Sequence, residues 1–153
     1  MSTVTIEQIK AKQSEIAQLI EQFQHQAELA TVSIDIEECS IRIAPGEHYA
    51  GAILDGAGQH MHHLVLMAAR SDDDLTWQQA MEWAASVNGT LPTRQEQALL
   101  FANCKPHLKP EWHWSSEVYE KDASYAWSCY FTYGYQNLSH KSYEGGAVAV
   151  RRV

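Results

Sequence analysis

The sequence has little of three features: cysteine, basic charge and long apolar runs. Cys39, Cys104 and Cys129 show no short metal or redox spacing, which favours isolated reduced thiols. Among 153 residues, 11 basic against 19 acidic ones give a net charge of −8, which disfavours nucleic acid and anionic lipid as partners. No apolar run approaches the roughly 20 residues that span a bilayer, and the polar N-terminus lacks a secretory signal. We therefore expect no membrane insertion and synthesis in the cytoplasm.

The first 30 residues are rich in Gln, Glu, Ile and Ala and lack Gly and Pro. Thr5 and Gln8 have the spacing of a capping box, which predicts a helix of about six turns over residues 5–29. Such a helix either packs on its own domain or forms an oligomerising coiled coil through residues 6–30. Isoleucine at both seam positions favours three or more strands over two, and a trimer is one such assembly. Two heptad series carry this pattern: Ile9, Ile16, Phe23 and Ala30, and Ile6, Gln13, Ile20 and Ala27. We predict two domains, residues 1–30 and 31–153.

In residues 31–67 apolar and polar residues alternate with a period of two, which predicts β-strands. The glycine-rich turn after Leu54 predicts a hairpin that closes between Asp55 and Gln59. The predicted strand residues are Val32, Ile34, Ile36, Ile41 and Ile43, followed by the apolar runs Tyr49–Leu54 and His63–Met67.

Two capping-box signatures predict two short central helices. Thr76 with Gln79 begins a helix that ends at Asn88-Gly89. Thr93 with Glu96 begins a second helix, which Pro106 and Pro110 end.

The rest of the chain has the alternation of β-strands. Helices in the middle of an antiparallel sheet protein predict the α+β class. Large alternating aromatics suit a half-buried sheet, so we assign the tryptophans of these strands to the core. The predicted strands are Trp112–Ser116, Tyr125–Phe131 and Gly146–Arg152, and the tryptophans are Trp112, Trp114 and Trp127.

Two segments have some of the residues of a metal site, but neither has a complete pattern. His60, His62 and His63 suit zinc or nickel, yet no carboxylate or thiolate stands at a familiar spacing. Strand alternation also directs His62 and His63 to opposite faces. The acidic run Ser71–Asp74 lacks the glycine and glutamate of an EF-hand loop. Because no catalytic constellation stands out either, we predict no metal, no cofactor and no enzymatic activity.

Four sequence elements together resemble the C-type-lectin-like fold: Leu91-Pro92-Thr93 with Glu96, Trp114-Ser115-Ser116-Glu117, Ala126-Trp127 and Ala149–Val153. More narrowly, they resemble a bacterial and phage family of that fold, of undefined function, found in prophages and often associated with tail-fibre regions. The resemblance covers residues 41–153. It implies a C-type-lectin-like domain with two short central helices and antiparallel strands, preceded by the N-terminal helix.

Two activities known from this fold find little support in the residues. Formylglycine-generating enzymes depend on a reactive cysteine pair, which Cys104 and Cys129 do not match. The Glu-Pro-Asn and Trp-Asn-Asp motifs of calcium-dependent sugar-binding lectins are absent. Resemblance in fold therefore does not imply lectin activity.

The segment Tyr130–Tyr143 has the composition of an adaptable binding surface, with aromatic rings among Asn, Gln, Ser, Thr and His. The resemblance implies a ligand surface in the irregular region before the final strands. The candidate binding residues are Tyr133, Tyr135, Asn137, His140 and Tyr143. Packing of the same aromatics within a sheet is the alternative.

Three functions follow as hypotheses. The first is a phage or prophage-encoded recognition module, tail-fibre-associated and carried on the virion, whose ligand is a protein or a cell-surface glycan and whose oligomerisation adds avidity. The second is an intracellular phage accessory protein that binds and inhibits or adapts a host or viral protein. The third, with the least support, is an oxidase of the formylglycine-generating type.

Overall fold

The structure is a computed structural model that describes residues 4–29 and 39–153. The chain divides into two compact units, Met1–Asp35 and Ile36–Val153. The first unit contains helix α1, Ile6–Leu29, which begins with the predicted capping box of Thr5 and Gln8. All side chains described in residues 4–26 are exposed. Within the described residues, no helix is both long enough and apolar enough to cross a bilayer.

Residues 39–153, called the head below, contain two three-stranded antiparallel sheets and two α-helices. This arrangement confirms the α+β class, with two short central helices between strands. The first sheet has the order β1-β2-β6, with β1 at His48–Leu54, β2 at His60–Arg70 and β6 at Val148–Arg152. The second has the order β3-β4-β5, with β3 at Trp112–Val118, β4 at Tyr125–Tyr130 and β5 at Tyr135–His140. Helix α2 spans Trp77–Ser86 and helix α3 spans Arg94–Cys104.

Both central helices begin at the residues that the sequence predicts. Thr76 and Gln79 form a reciprocal capping box before α2, and Thr93 and Glu96 form another before α3. After α2 the chain turns through Asn88, whose φ of 60° is left-handed. A short 3₁₀ turn, Lys105–His107, follows α3 and contains Pro106. Local side-chain chemistry thus determines where both helices begin.

The predicted hairpin between β1 and β2 is confirmed. The N–H of Asp55 donates to the carbonyl of Gln59 at 2.8 Å, and the Asp55 carboxylate accepts from the N–H groups of Ala57 and Gln59. Just beyond this turn Leu54 pairs with His60 and Ile53 pairs with His62. Met61 is therefore an extra residue in β2, a β-bulge that changes the faces on which its neighbours lie.

The prediction of a strand at Ile41 and Ile43 is wrong, because residues 39–44 pair with no strand in the head. The segment is held by side chains instead. Arg151 donates to the carbonyl of Arg42 at 2.6 Å and to both carboxylate oxygens of Glu47 at 2.7 and 3.0 Å. The alternation at Val32, Ile34 and Ile36 lies outside the described residues.

Two apolar clusters form the core of the head. One lies around α3 and includes Leu64, Leu100 and Phe131, and the other lies around α2 and includes Trp114. Trp114 is 1% exposed, as predicted for a core residue, and its indole N–H donates to the carbonyl of Leu75 at 2.7 Å. The two other tryptophans assigned to the core, Trp112 and Trp127, are only half-buried.

Candidate functional site

Three of the five predicted binding residues, Tyr135, Asn137 and His140, lie on the edge strand β5, where the sequence predicts an irregular region; Tyr143 lies in the bend that follows β5. β5 pairs with β4 in register from Tyr135 opposite Tyr130 to His140 opposite Tyr125. Tyr133 lies in the turn between the two strands, and Gly134 closes that turn with a φ of +79°. Because β5 is the last strand of its sheet, one edge of this segment pairs with no other strand in the head.

Four aromatic rings form a continuous surface at one end of the second sheet. Trp112, Tyr130 and Tyr135 are direct cross-strand partners and therefore share one face. The ring centroids are 5.1 Å apart for Trp112 and Tyr130, 6.0 Å for Tyr130 and Tyr133, and 5.7 Å for Tyr133 and Tyr135. Tyr133 and Tyr135 are 64% and 65% exposed. We call Trp112, Tyr130, Tyr133 and Tyr135 the aromatic row.

The remaining candidates divide between two places. Asn137 lies two residues after Tyr135 and therefore on the same face, with its Oδ1 accepting from the N–H of Leu138. His140 lies on the opposite face at the other end of β5, edge-on to Tyr125 and with its Nδ1 bonded to the Ser142 hydroxyl at 2.7 Å. The structure therefore brings Tyr133, Tyr135 and Asn137 onto one surface and places His140 elsewhere.

Tyr143 lines a cleft of about 160 Å³ that adjoins the aromatic row. Trp112 and Tyr130 belong to both features. The cleft also contains three carboxylates, and we call it the acidic cleft. Its lining residues are Asp74, Pro110, Glu111, Trp112, Tyr130, Tyr143, Glu144 and Gly145.

Backbone hydrogen bonds hold the walls of the acidic cleft in place. Leu75 and Gly145 exchange two hydrogen bonds of 2.8 and 3.0 Å, which fix the chain beside Asp74 and Glu144. Gly146 donates to the carbonyl of Trp112 at 2.8 Å, which joins the same segment to β3. The cleft is therefore formed before any partner arrives.

A second cleft, of about 230 Å³, lies beside Trp127 and includes Arg94, Glu117, Tyr119 and Lys121. The guanidinium of Arg94 is 3.5 Å from the centroid of the Trp127 ring, and its Nε donates to Gln136 at 3.0 Å. Because the chain's own arginine covers this ring, the second cleft offers less aromatic surface to a ligand.

The three clustered histidines have different environments. His62 Nε2 is 2.9 Å from the Glu96 carboxylate, whereas His63 Nδ1 is 2.9 Å from the Tyr49 hydroxyl. The bulge at Met61 brings the His60 ring to 4.5 Å from the His63 ring, and the Nε2 atoms of both are buried without a hydrogen-bond partner. Within the described residues no three His, Cys, Asp or Glu side chains group as a set of metal ligands.

Cys104 and Cys129 are buried in the same apolar cluster and form no disulfide. Burial raises the pKa of both thiols, that of Cys129 to about 11; for Cys104 the nearby Arg70 partly opposes the shift. Cys39 is exposed. At neutral pH both buried cysteines are therefore protonated, and only a thiolate is a good nucleophile.

Sequence reasoning missed Trp112, Tyr130 and the carboxylates of the acidic cleft. Strand alternation favours core packing for Trp112, whereas Tyr130 belongs to the segment Tyr130–Tyr143 but is not among the candidate binding residues. Asp74, Glu111 and Glu144 are scattered in the sequence. The pairing of Leu75 with Gly145 and of Gly146 with Trp112 brings them together. The chain matches no protein-family model and no curated protein, so its function is inferred from the geometry of the head.

Proposed function

We propose that the protein is a non-enzymatic recognition module that binds a partner through the aromatic row and Tyr143. The observation that carries this proposal is the continuous row of rings at one end of the second sheet, in which Tyr133 and Tyr135 are exposed and the two other rings are half-buried. Tyrosine and tryptophan offer a large contact area at a low cost in side-chain entropy, and they are enriched among residues that dominate binding. Contiguous exposed apolar surface marks interaction sites.

The fold proposed for the head is the C-type-lectin-like one, and the proposed origin is a phage or prophage. The resemblance of Leu91-Pro92-Thr93 and Trp114–Glu117 to the phage family supports both, and the α+β class is compatible with them. The proposed ligand is a protein or a cell-surface glycan, bound by a tail-fibre-associated protein. The tyrosines and Asn137 suit either ligand class, since they combine ring faces with hydrogen-bonding groups.

Helix α1 supports a further part of this proposal, the assembly of several copies. Its heptad series places apolar side chains along one seam, and these side chains are exposed within the chain: Ile6, Ile9, Ile16, Ile20 and Phe23. A seam with this repeat is complementary to another copy of itself, and isoleucine at both seam positions favours three or more strands, such as a trimer, over two. Several heads on one coil would convert weak single contacts into avidity for a repetitive surface.

A second candidate is an intracellular accessory protein that binds and inhibits or adapts one host or viral protein. The acidic cleft favours it, because carboxylates beside aromatic rings suit a basic protein surface. The oxidase hypothesis has the least support, since it needs a reactive thiolate and burial opposes one at both Cys104 and Cys129.

Two binding assays with the full chain test the proposal. Fluorescently labelled protein is added to intact host bacteria, and immobilised protein is used to capture partners from host lysate. In the assay in which the wild type binds, the double variant Tyr133→Ser/Tyr135→Ser should lose binding. Met61→Ser, which changes an exposed apolar side chain on the first sheet, should bind like wild type. Equal binding by the wild type and the tyrosine variant in both assays would contradict the proposal.

A further inference from the structure

We infer that the acidic cleft binds a cationic side chain, lysine or arginine, presented by a protein partner. This inference rests on the proposed recognition function and names the chemistry of its ligand. The partner is a protein because the cleft continues into the exposed rings of Tyr133 and Tyr135. These rings offer contact area beyond that needed by a single charged group.

The charges around the cleft favour a cation. Within the described residues, Asp74 and Glu144 form no salt bridge, and both are exposed at the mouth of the cleft. Glu111 has one cationic neighbour, Lys109, whose ammonium nitrogen is 3.8 Å from Oε1 and also donates to the carbonyl of Ser71. The cleft is thus lined by three carboxylates, and the ammonium group of Lys109 lies beside one of them.

The rings of the cleft favour a cation for a separate reason. Elsewhere in the head, three aromatic faces carry a cation from the chain itself: Arg94 over Trp127 at 3.5 Å, Lys105 over Phe101 at 4.8 Å and Lys141 over Trp77 at 4.2 Å. None of the described cations lies in this way over Trp112, Tyr130 or Tyr143. An aromatic face attracts a cation through its quadrupole, and tryptophan does so most strongly.

The size and rigidity of the cleft indicate what kind of group fits. About 160 Å³ is enough for the end of one side chain but too small for a helix or strand of a partner. Trp112 and Tyr130 are stacked at 5.1 Å, and backbone pairing of Leu75 with Gly145 fixes the opposite wall. A lysine or arginine can therefore enter with its aliphatic stem against the rings and its charge beside Asp74 or Glu144.

Titration of the full chain with small probes, followed by NMR, tests the inference. The probes are Nα-acetyl-arginine methylamide and Nα-acetyl-lysine methylamide, with the neutral isostere Nα-acetyl-citrulline methylamide as control. We expect saturable shifts of the Trp112 indole signal, assigned with Trp112→Phe, for at least one cationic probe and none for citrulline. Added salt should weaken the effect because the carboxylates at the mouth are exposed.

Matched variants show whether the carboxylates of the acidic cleft contribute to binding of the cationic probe. Asp74→Asn/Glu144→Gln should weaken binding of the cationic probe by at least about threefold, whereas Glu120→Gln, an exposed carboxylate in the second cleft, should leave it unchanged. Equal shifts with citrulline, or no effect of the double variant, would overturn the inference.

The same variants separate this inference from the proposed function. If Tyr133→Ser/Tyr135→Ser abolishes partner binding while Asp74→Asn/Glu144→Gln does not, the recognition function stands and the cation inference fails. The opposite outcome is also possible: the chain binds the cationic probe through its carboxylates but binds no macromolecule in either assay. That result would support the cation site and contradict the recognition function.

Discussion

Arg152 donates two hydrogen bonds to the carboxylate of Glu96, from Nε to Oε1 at 2.6 Å and from Nη2 to Oε2 at 2.8 Å. The same carboxylate, 1% exposed, accepts from the Thr93 N–H and lies 2.9 Å from His62 Nε2. Burial raises the pKa of Glu96, but the hydrogen bonds from Arg152, Thr93 and His62 outweigh it and hold the pKa below its usual value. One side chain thereby joins α3 to β6 and β2.

The first prediction is that Glu96→Ala lowers the free energy of unfolding by about 2–4 kcal/mol. The substitution removes the side-chain half of the capping box of α3 and leaves Nε and Nη2 of Arg152 without their acceptor. Urea denaturation measures the change. Glu82→Ala removes an exposed carboxylate from α2 and serves as the control, with an expected change within about 0.5 kcal/mol. Similar losses for both variants would contradict the assigned role.

The second prediction concerns His113, which is 2% exposed. Burial lowers its pKa from 6.5 to about 4, although its hydrogen bond to the carbonyl of Glu111 acts in the opposite direction. Between these values the unfolded chain binds a proton that the folded chain does not, so stability is full above pH 6.5 and falls as the pH is lowered towards 4. We expect a loss of about 3 kcal/mol over this window.

His113→Asn provides the test, because it removes the titrating ring and retains an N–H donor. The variant loses packing and is less stable at pH 7, but its free energy of unfolding should vary less between pH 6.5 and 4 than that of the wild type. Denaturant unfolding at several pH values compares the two slopes. Parallel curves would mean that another group accounts for the pH dependence.

The third prediction is that Gly134→Ala destabilises the head by about 1–3 kcal/mol. The residue has a φ of +79°, and a Cβ there would lie 2.9 Å from two carbon atoms of the Phe101 ring. Gly56→Ala is the matched control, because a Cβ at Gly56 meets nothing within 4 Å. Thermal unfolding distinguishes them, and equal melting temperatures for the two variants would contradict the close approach of the turn to α3.

The fourth prediction is that one thiol of the native chain reacts rapidly with an aromatic disulfide reagent. Cys39 is exposed, whereas Cys104 and Cys129 are buried and have raised pKa values. The two buried thiols should react only after denaturation. Absorbance of the released thiolate counts the reactive groups, and Cys39→Ser should abolish the rapid phase. A rapid phase that survives this substitution would show that the core opens.

The fifth prediction is that Ile16→Asp lowers the association state of the full chain, since it places a charge in the proposed seam of α1. Gln18→Asp adds the same charge two residues away, outside both heptad series, and should have no such effect. Sedimentation equilibrium measures the molar mass. A monomeric wild type at high concentration would remove the basis for avidity but would leave the aromatic row as a binding surface.

Features with local causes could be predicted from the sequence. The two central helices begin at their capping boxes because the residues involved lie three positions apart, and the hairpin closes between Asp55 and Gln59 because its turn residues are adjacent. The segment at Ile41 and Ile43 has strand-like alternation, yet side-chain hydrogen bonds from Arg151 hold it without strand pairing. Alternation alone does not provide a partner strand.

The candidate site could be predicted only in part, because it depends on pairings between distant residues. Composition identifies Tyr133, Tyr135 and Tyr143 but not strand β5, since an exposed edge strand has no apolar alternation. The separation of His140 from the other candidates follows from strand alternation, which becomes useful only once β5 is known. The carboxylates of the acidic cleft come from three separate segments.

The strand order β1-β2-β6 also has a consequence for co-translational folding of the head. Leu64 of β2 pairs with Arg152 of β6, so the second neighbour of β2 is synthesised 88 residues later. Until then β1 and β2 form a two-stranded hairpin, which is marginally stable in water and leaves the edge of β2 unpaired. Completion of the first sheet is therefore a late, non-local event, and until then the unpaired edge of the nascent hairpin favours aggregation.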